Sequence, residues 1–336
     1  MLKRPLLAAV PALLAVLLNA CSTGGSSGVQ SLPKAPSPGG DVLPTAAPPS
    51  SSVGSSSASV RVNSPYIRVN PDGSILHIDP LPQVRAAYRA PAQASPNVDY
   101  HNGPVIHAST SYAIFWRPSG YYMSPKYETV IEQFYHDIGS TPMYGILPQY
   151  YDTTGHPLNK STFGGAWTDT QAFPAKFDDA AIRQEVARAI QQNNWPKGGV
   201  GAVFFVFTAS KAKDSFAYCA YHGDFVSSGN PVVYSIVPYQ RDLGPHGCGT
   251  PSKVFPNDQD ADLTIDTMWH EFAESVSDPT IQGWYRNSDG QEIGDLCNTS
   301  YGPLRKDGSD VTLHGHDYVT QEIWSNHGSE CEQTFE

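Results

Sequence analysis

The chain has little positive charge. Lysine and arginine number 21 against 32 acidic residues, a formal net charge of −11, and no stretch gathers bases into a patch. A nucleic-acid partner held through its phosphates is therefore excluded. The sequence also lacks an apolar run long enough to cross a bilayer; the N-terminal run, Leu6–Leu18, falls short of the roughly 20 residues a spanning helix needs. Its five cysteines include no Cys-x-x-Cys pair, which argues against a four-cysteine zinc site. The folded part has no Gly-x-Ser-x-Gly elbow for a serine nucleophile, and no internal repeat is visible.

What is present begins with a targeting signal. Met1–Arg4 is short and basic, Leu6–Leu18 is apolar, and Leu-Leu-Asn-Ala-Cys closes the segment at Cys21. Residues 1–20 read as a secretory signal peptide. A cysteine directly after Asn-Ala resembles the processing site of bacterial lipoproteins. That resemblance implies cleavage before Cys21 and lipid on its thiol. It also implies a membrane anchor in the bacterial cell envelope, facing periplasm or exterior. Loss of Lys3 and Arg4 takes the net charge from −11 to −13.

Residues 21–60 are rich in Ser, Gly, Pro and Ala, with Lys34 and Asp41 as the charges and no aromatic residue. Such a segment cannot bury enough apolar area to offset the entropy of ordering, and it reads as a disordered tether. Residues 61–96 form an extended N-terminal segment, with one hairpin expected around Asp72-Gly73. Residues 97–336 are the globular domain, long enough for one large core. Beyond Cys21 the cysteines are Cys219, Cys248, Cys297 and Cys331. An even number in an exported domain predicts two disulfides. Three pairings are open, and the nearest-neighbour one, Cys219–Cys248 with Cys297–Cys331, is the expectation.

Hydrophobic period places three helices. The first lies in Ser-Pro-Lys-Tyr-Glu-Thr-Val-Ile-Glu-Gln-Phe, with Ser124 as its cap and Pro125 in its first turn. The second carries Ile182, Val186, Ala189 and Ile190 on one face, and the third spans 262–277. Strands are expected in 103–118 and in the unalternating apolar run 198–210, which reads as buried on both faces. Two more follow, around Phe216–Phe225 and Pro231–Tyr239. The order is strand, helix, strand, helix, three strands, helix and an irregular tail, which predicts an α+β domain.

The third helix carries the chemistry. In His270-Glu271-Phe272-Ala273-Glu274, His270 and Glu274 are four apart and share a face with Asp266, while Ile265, Met268, Phe272 and Val276 form an apolar stripe. This is the spacing of the His-Glu-x-x-His zinc hydrolases with the second histidine replaced by Glu. Two ligands on successive turns would grip a metal, with Glu271 between them as general base. A carboxylate ligand makes the site harder: zinc remains the first expectation for the divalent metal, with manganese or calcium as alternatives. Asp278 is ruled out as the third ligand because Pro279 takes it out of helical geometry. Glu292 and Asp295, in the Gly-containing turn Glu-Ile-Gly-Asp, are the candidates. Trp269 and Phe272 imply that the helix is buried. His222, in Cys-Ala-Tyr-His, is a candidate for stabilising an oxyanion. His246, His314 and His316 are read as loop or turn residues.

The stretch His270–Cys297 resembles the phosphate-induced protein 1 family, the Exordium-like proteins. These carry a His-Glu-Leu-x-Glu helix, a Trp-Tyr pair and a Glu-Ile-Gly-Asp-x-Cys turn. Tyr100–Pro118 resembles the family's His-x-Gly-Gly-Pro strand, with Asn102 in place of the first Gly. Tyr318–Cys331 resembles its Gln-x-x-Trp-Ser-Asn segment and closing Cys. The family comprises extracellular or wall-associated proteins linked to growth in plants, without a well-defined activity. The resemblance points to His270, Glu271, Glu274, Glu292, Asp295, Cys297 and Cys331, and to Trp324-Ser325-Asn326 as neighbours of the site.

Together these readings predict a zincin-like mixed sheet packed on helices, with an active-site helix near 262–277 and two disulfides. The functional expectation is a membrane-anchored, metallopeptidase-like hydrolase using Glu271 and His222 in catalysis, with His270, Glu274, Asp295 and Glu292 at the metal and a peptide or cell-wall polymer as substrate. The alternative is a non-catalytic cell-surface or cell-wall binding protein, with a structural metal or a buried polar network at the same residues. The discriminating feature is an open coordination position in a cleft.

Overall fold

The computed structural model describes residues 64–89 and 95–335. Cys21, the signal peptide and the 21–60 tether lie outside them. A seven-stranded mixed sheet forms the centre. In chain order its strands are β1 (Ile67–Val69), β2 (Ile75–Pro80), β4 (Ser109–Trp116), β5 (Ser161–Asp169), β6 (Ala202–Thr208), β7 (Tyr218–Ser227) and β8 (Asn230–Val237). Their spatial order is β1-β2-β7-β8-β6-β4-β5. The pairs β4–β5, β4–β6 and β6–β8 are parallel. β7 runs antiparallel to β8, and β2 to β7. The domain is thus α+β with a mixed sheet, as expected.

Four α-helices surround it: α1 (Pro82–Ala87), α2 (Tyr127–Asp137), α3 (Asp179–Asn193) and α4 (Gln259–Ser277). Alternation along the strands divides the core between the two faces. On one face Phe115, Phe205 and Phe207 meet Ile131 and Phe134 of α2 and Ile265, Met268 and Phe272 of α4. On the other, Ile114, Phe204, Val206 and Ile236 meet Ile182, Val186, Ala189 and Ile190 of α3. β6 is buried along its whole length, as its unalternating apolar run requires. Among the described residues no helix is long and apolar enough to cross a membrane.

Local signals set the helix ends. Asp178 caps α3 by accepting from the Ala181 amide, and Asn194 closes it in the left-handed region. Asp258 caps α4 by accepting from the amides of Asp260 and Ala261, so this helix begins before residue 262. Ser124 does not cap α2: Lys126 holds that place without a side-chain bond, and the Ser124 hydroxyl donates to Asp258 Oδ1 at 2.6 Å. The cap read for one helix therefore ties it to the cap of another.

The hairpin expected around Asp72-Gly73 is β1–β2, with Gly73 at φ +85° in its turn. It belongs to the main sheet, since β2 extends the edge of β7. The 61–96 segment, set apart from the domain in the sequence reading, thus contributes two strands. Smaller pairs complete the chain: β3 (Asp99–Tyr100) with β9 (Trp284–Tyr285), β10 (Val311–Leu313) with β11 (His316–Tyr318), and β12 (Ile323–Ser325) with β13 (Glu330–Glu332). Cys219–Cys248 and Cys297–Cys331 form the two disulfides, in the nearest-neighbour pairing.

Candidate metal centre

Three elements converge beneath β2 and β7. α4 supplies His270, Glu271 and Glu274, each fully buried. The turn after it supplies Glu292 and Asp295, at 0% and 4% exposure. The sheet supplies His77 and Asp79 from β2 and His222 from β7, at 0%, 2% and 0%. In the strand register His77 sits opposite His222, and their ring centroids are 5.5 Å apart. His77 and Asp79 are two apart, so both face α4, while Leu76 and Ile78, alternating with them, enter the opposite core.

His77 and His270 each have one ring nitrogen tied outward and the other turned into the cluster, while both nitrogens of His222 face carboxylates. His77 Nε2 donates to the Gly290 carbonyl at 2.9 Å, leaving Nδ1 bare and 3.3 Å from Glu274 Oε2. Gln321 donates through Nε2 to the Gly294 carbonyl at 2.8 Å. Its Oε1 therefore accepts from His270 Nδ1 at 3.2 Å. His270 Nε2 is left 3.1 Å from Glu274 Oε1 and 3.6 Å from Asp295 Oδ1. His222 Nδ1 lies 3.2 Å from Glu271 Oε2 and its Nε2 3.7 Å from Glu292 Oε2. Outward bonds of this kind fix the tautomer of metal-binding histidines.

The carboxylates are positioned from the backbone. Glu274 Oε1 accepts from the amides of Gly294 and Asp295, both at 3.1 Å. Asp295 Oδ2 accepts from the Glu292 amide at 2.9 Å. Gly294 is required by close approach: a Cβ there would sit 2.8 Å from the His270 ring and 2.9 Å from Glu274 Oε1. Arg85 of α1 pairs with Asp79 at 2.5 Å and also donates to the Cys248 carbonyl at 2.8 Å.

Burial and crowding shift the titrations in opposite directions. Burial pushes His222 down to about 3, helped by the neighbouring His77. Burial also lowers His77, but Asp295 and Glu274 outweigh it and lift the imidazole to about 8. Glu271 is held well above the usual carboxylate range by burial, with His270 opposing and Glu274 adding. Burial would raise Glu274 too, but His270 and His77 draw it well below.

Six fully buried atoms here have no hydrogen-bond partner: His77 Nδ1, His222 Nε2, His270 Nε2, Glu271 Oε1, Glu274 Oε2 and Asp295 Oδ1. An unsatisfied buried polar atom costs about 1–3 kcal/mol, and charged ones more. The contact distances of 3.1–3.7 Å between nitrogens and carboxylate oxygens match the spacing of about 3.4 Å between tetrahedral ligands around an ion with bonds of about 2.1 Å. The donor set is mixed nitrogen and oxygen, and the group can hold a metal ion.

The structure brings together every metal candidate named from the sequence: His270, Glu274, Glu292 and Asp295. Glu271 stands beside them. His222, read as an oxyanion stabiliser, is a member of the donor cluster itself. His77 and Asp79 were missed; their signal is a polar pair two apart inside the apolar strand Ile-Leu-His-Ile-Asp. Asp266, on the same helical stripe, is taken up by Tyr301 and the Gln321 amide at 2.9 and 2.7 Å. The Asp278 carboxylate accepts from the amides of Gln282 and Gly283 in the turn beyond α4. His314 and His316 do not converge: one contacts the Gly139 carbonyl and the other Asp137. His246 is exposed in its loop. Trp324 donates its amide to the Ile293 carbonyl at 2.9 Å, beside the ligand turn. Asn102 sits at φ +69°, a conformation suited to the Gly it replaces.

Fold and site thus define a disulfide-bonded α+β domain with a closed histidine–carboxylate centre. No family model matches the chain, and no solved structure matches it. It is similar to Protein EXORDIUM-like 5 of Arabidopsis thaliana, with 24% identity over 280 residues, spanning 69% of this chain and 76% of that protein.

Proposed function

We propose that the chain is an exported Exordium-like protein whose domain binds a divalent metal between α4, the Glu292–Asp295 turn and the β1–β2 hairpin. In this conformation the metal fastens the hairpin to the sheet. The observation that carries the reading is the three histidines, each with a bare ring nitrogen in a fully buried space shared with carboxylates. Histidine with carboxylate favours zinc or manganese over calcium. Because the donors have almost no exposure, the reading is of a non-catalytic surface protein with a structural metal. Two disulfides suit an oxidising compartment, and the lipid anchor on Cys21 belongs to the same proposal.

Hydrogen exchange on the full chain, with and without a chelator, tests this. Amides of β2 should lose protection when the metal is withdrawn. Unchanged protection, in protein shown to have released metal, would remove the fastening role.

A second reading, a metallopeptidase-like hydrolase, is favoured by one observation: Glu271 Oε1 is buried without a hydrogen-bond partner beside the His270 and Glu274 donors. In that reading Glu271 holds the proton taken from water, and β2 must leave to admit a substrate. Glu271→Gln should then retain metal and abolish turnover of unfolded peptide substrates. Turnover that survives the substitution would eliminate it.

A further inference from the structure

The centre has more donors than one ion can use. Its donors form three overlapping groups: His77, His222, Glu274 and Glu292; Asp79, His270 and Asp295; and His270, Glu271 and Glu274, which joins the first two. Within each group the donor atoms lie within 4.8 Å of one another. We propose that the centre holds two divalent first-row transition ions side by side, one in each of the first two groups, which share no residue. The inference rests on the metal-binding reading above and deepens it.

One carboxylate has the disposition of a bridge. Glu274 turns Oε2 toward Nδ1 of His77 and of His222, at 3.3 and 3.7 Å, and Oε1 toward His270 Nε2 at 3.1 Å. It spans the boundary between the groups, as carboxylates do where two ions lie about 3.5–4 Å apart. Asp295 turns Oδ1 toward His270 Nε2 at 3.6 Å, within the second group.

The three histidines supply a bare nitrogen on each side: His77 Nδ1 and His222 Nε2 in the first group, His270 Nε2 in the second.

The test is a manganese titration of the full-length, chelator-treated protein, read by equilibrium dialysis and by electron paramagnetic resonance. Two equivalents should bind, and the second should replace the isolated-ion hyperfine pattern with an exchange-coupled signal. One equivalent with an isolated-ion signal would overturn the two-ion assignment and leave the metal-binding reading standing. No binding would overturn both. His222→Ala and Asp79→Asn should each bind a single uncoupled equivalent; two coupled equivalents in either variant would refute the assignment of that residue. If a variant does not fold, as read by circular dichroism, the wild-type titration decides alone.

Discussion

Replacing Gly294 by Ala isolates the geometry of the centre from the backbone. Gly294 has φ −76° and ψ −43°, which alanine adopts without strain. The penalty is steric: the new Cβ would lie 2.8 Å from His270 Cγ and Nδ1 and 2.9 Å from Glu274 Oε1. Carbon contacts settle near 3.5 Å or beyond, so the ring must retreat by roughly 0.6 Å. Metal–ligand distances hold within about 0.2 Å, so both residues are displaced from ligating position. Disturbing the support of a ligand lowers metal affinity about 10–100-fold, equivalent to about 1.4–2.8 kcal/mol. Overpacking should cost about 1–3 kcal/mol of stability even without metal. Competition against a chromogenic chelator measures the first effect and urea unfolding with chelator present the second. Gly201→Ala is the control, because its Cβ would meet the Ala108 carbonyl at an ordinary 3.4 Å. If Gly294→Ala binds metal as tightly as the control, the reasoning from ligand geometry fails.

Further perturbations probe the frame around the site. Opening Cys297–Cys331, which closes a separation of 34 residues next to Asp295, should cost about 4 kcal/mol by loop entropy; a Cys297→Ser, Cys331→Ser double variant with an unchanged urea midpoint would contradict this. Phe272 is fully buried against Phe205, Tyr135 and Tyr144, so Phe272→Ala should lose about 3–5 kcal/mol, read from the same unfolding curve. Burial lifts Asp262 to about 6 although the Asn257 amides oppose it. A raised carboxyl favours folding below its unfolded value of about 3.8, and that contribution is lost as pH rises through 6. Wild type should therefore lose about 2 kcal/mol more than Asp262→Asn between pH 4 and pH 7; parallel stability profiles for the two proteins would refute it.

The sequence carried the helix and its ligands because the evidence there is local. His270 and Glu274 are one turn apart, and Trp269 and Phe272 mark the helix as buried. The turn with Glu292 and Asp295 was legible for the same reason: a Gly between two acids lets the chain fold back onto the helix. The start of α4 was not, since Asn257–Asp260 is polar and the apolar period begins only at Ala261 and Leu263. Ser124 has the right chemistry for a cap, yet a tertiary partner, Asp258, competes for its hydroxyl. His77 and Asp79 escaped because their meaning is non-local. Alternating with Leu76 and Ile78, they look like the wet face of an edge strand, and only pairing with β7, far along the chain, turns that face onto α4. His222 was read as an oxyanion stabiliser, and only His77 opposite it in the sheet reveals it as a member of the donor cluster.

The central claim is that these donors hold metal, and metal content tests it most directly. Full-length protein purified without chelator should be analysed by inductively coupled plasma mass spectrometry beside Glu274→Ala, after both are shown to be folded. The account predicts zinc or manganese stoichiometric with the wild-type chain and strongly depleted in the variant. Wild-type protein that carries no metal, and takes none up on dialysis against zinc or manganese, would contradict it and make the cluster a protonated hydrogen-bond network.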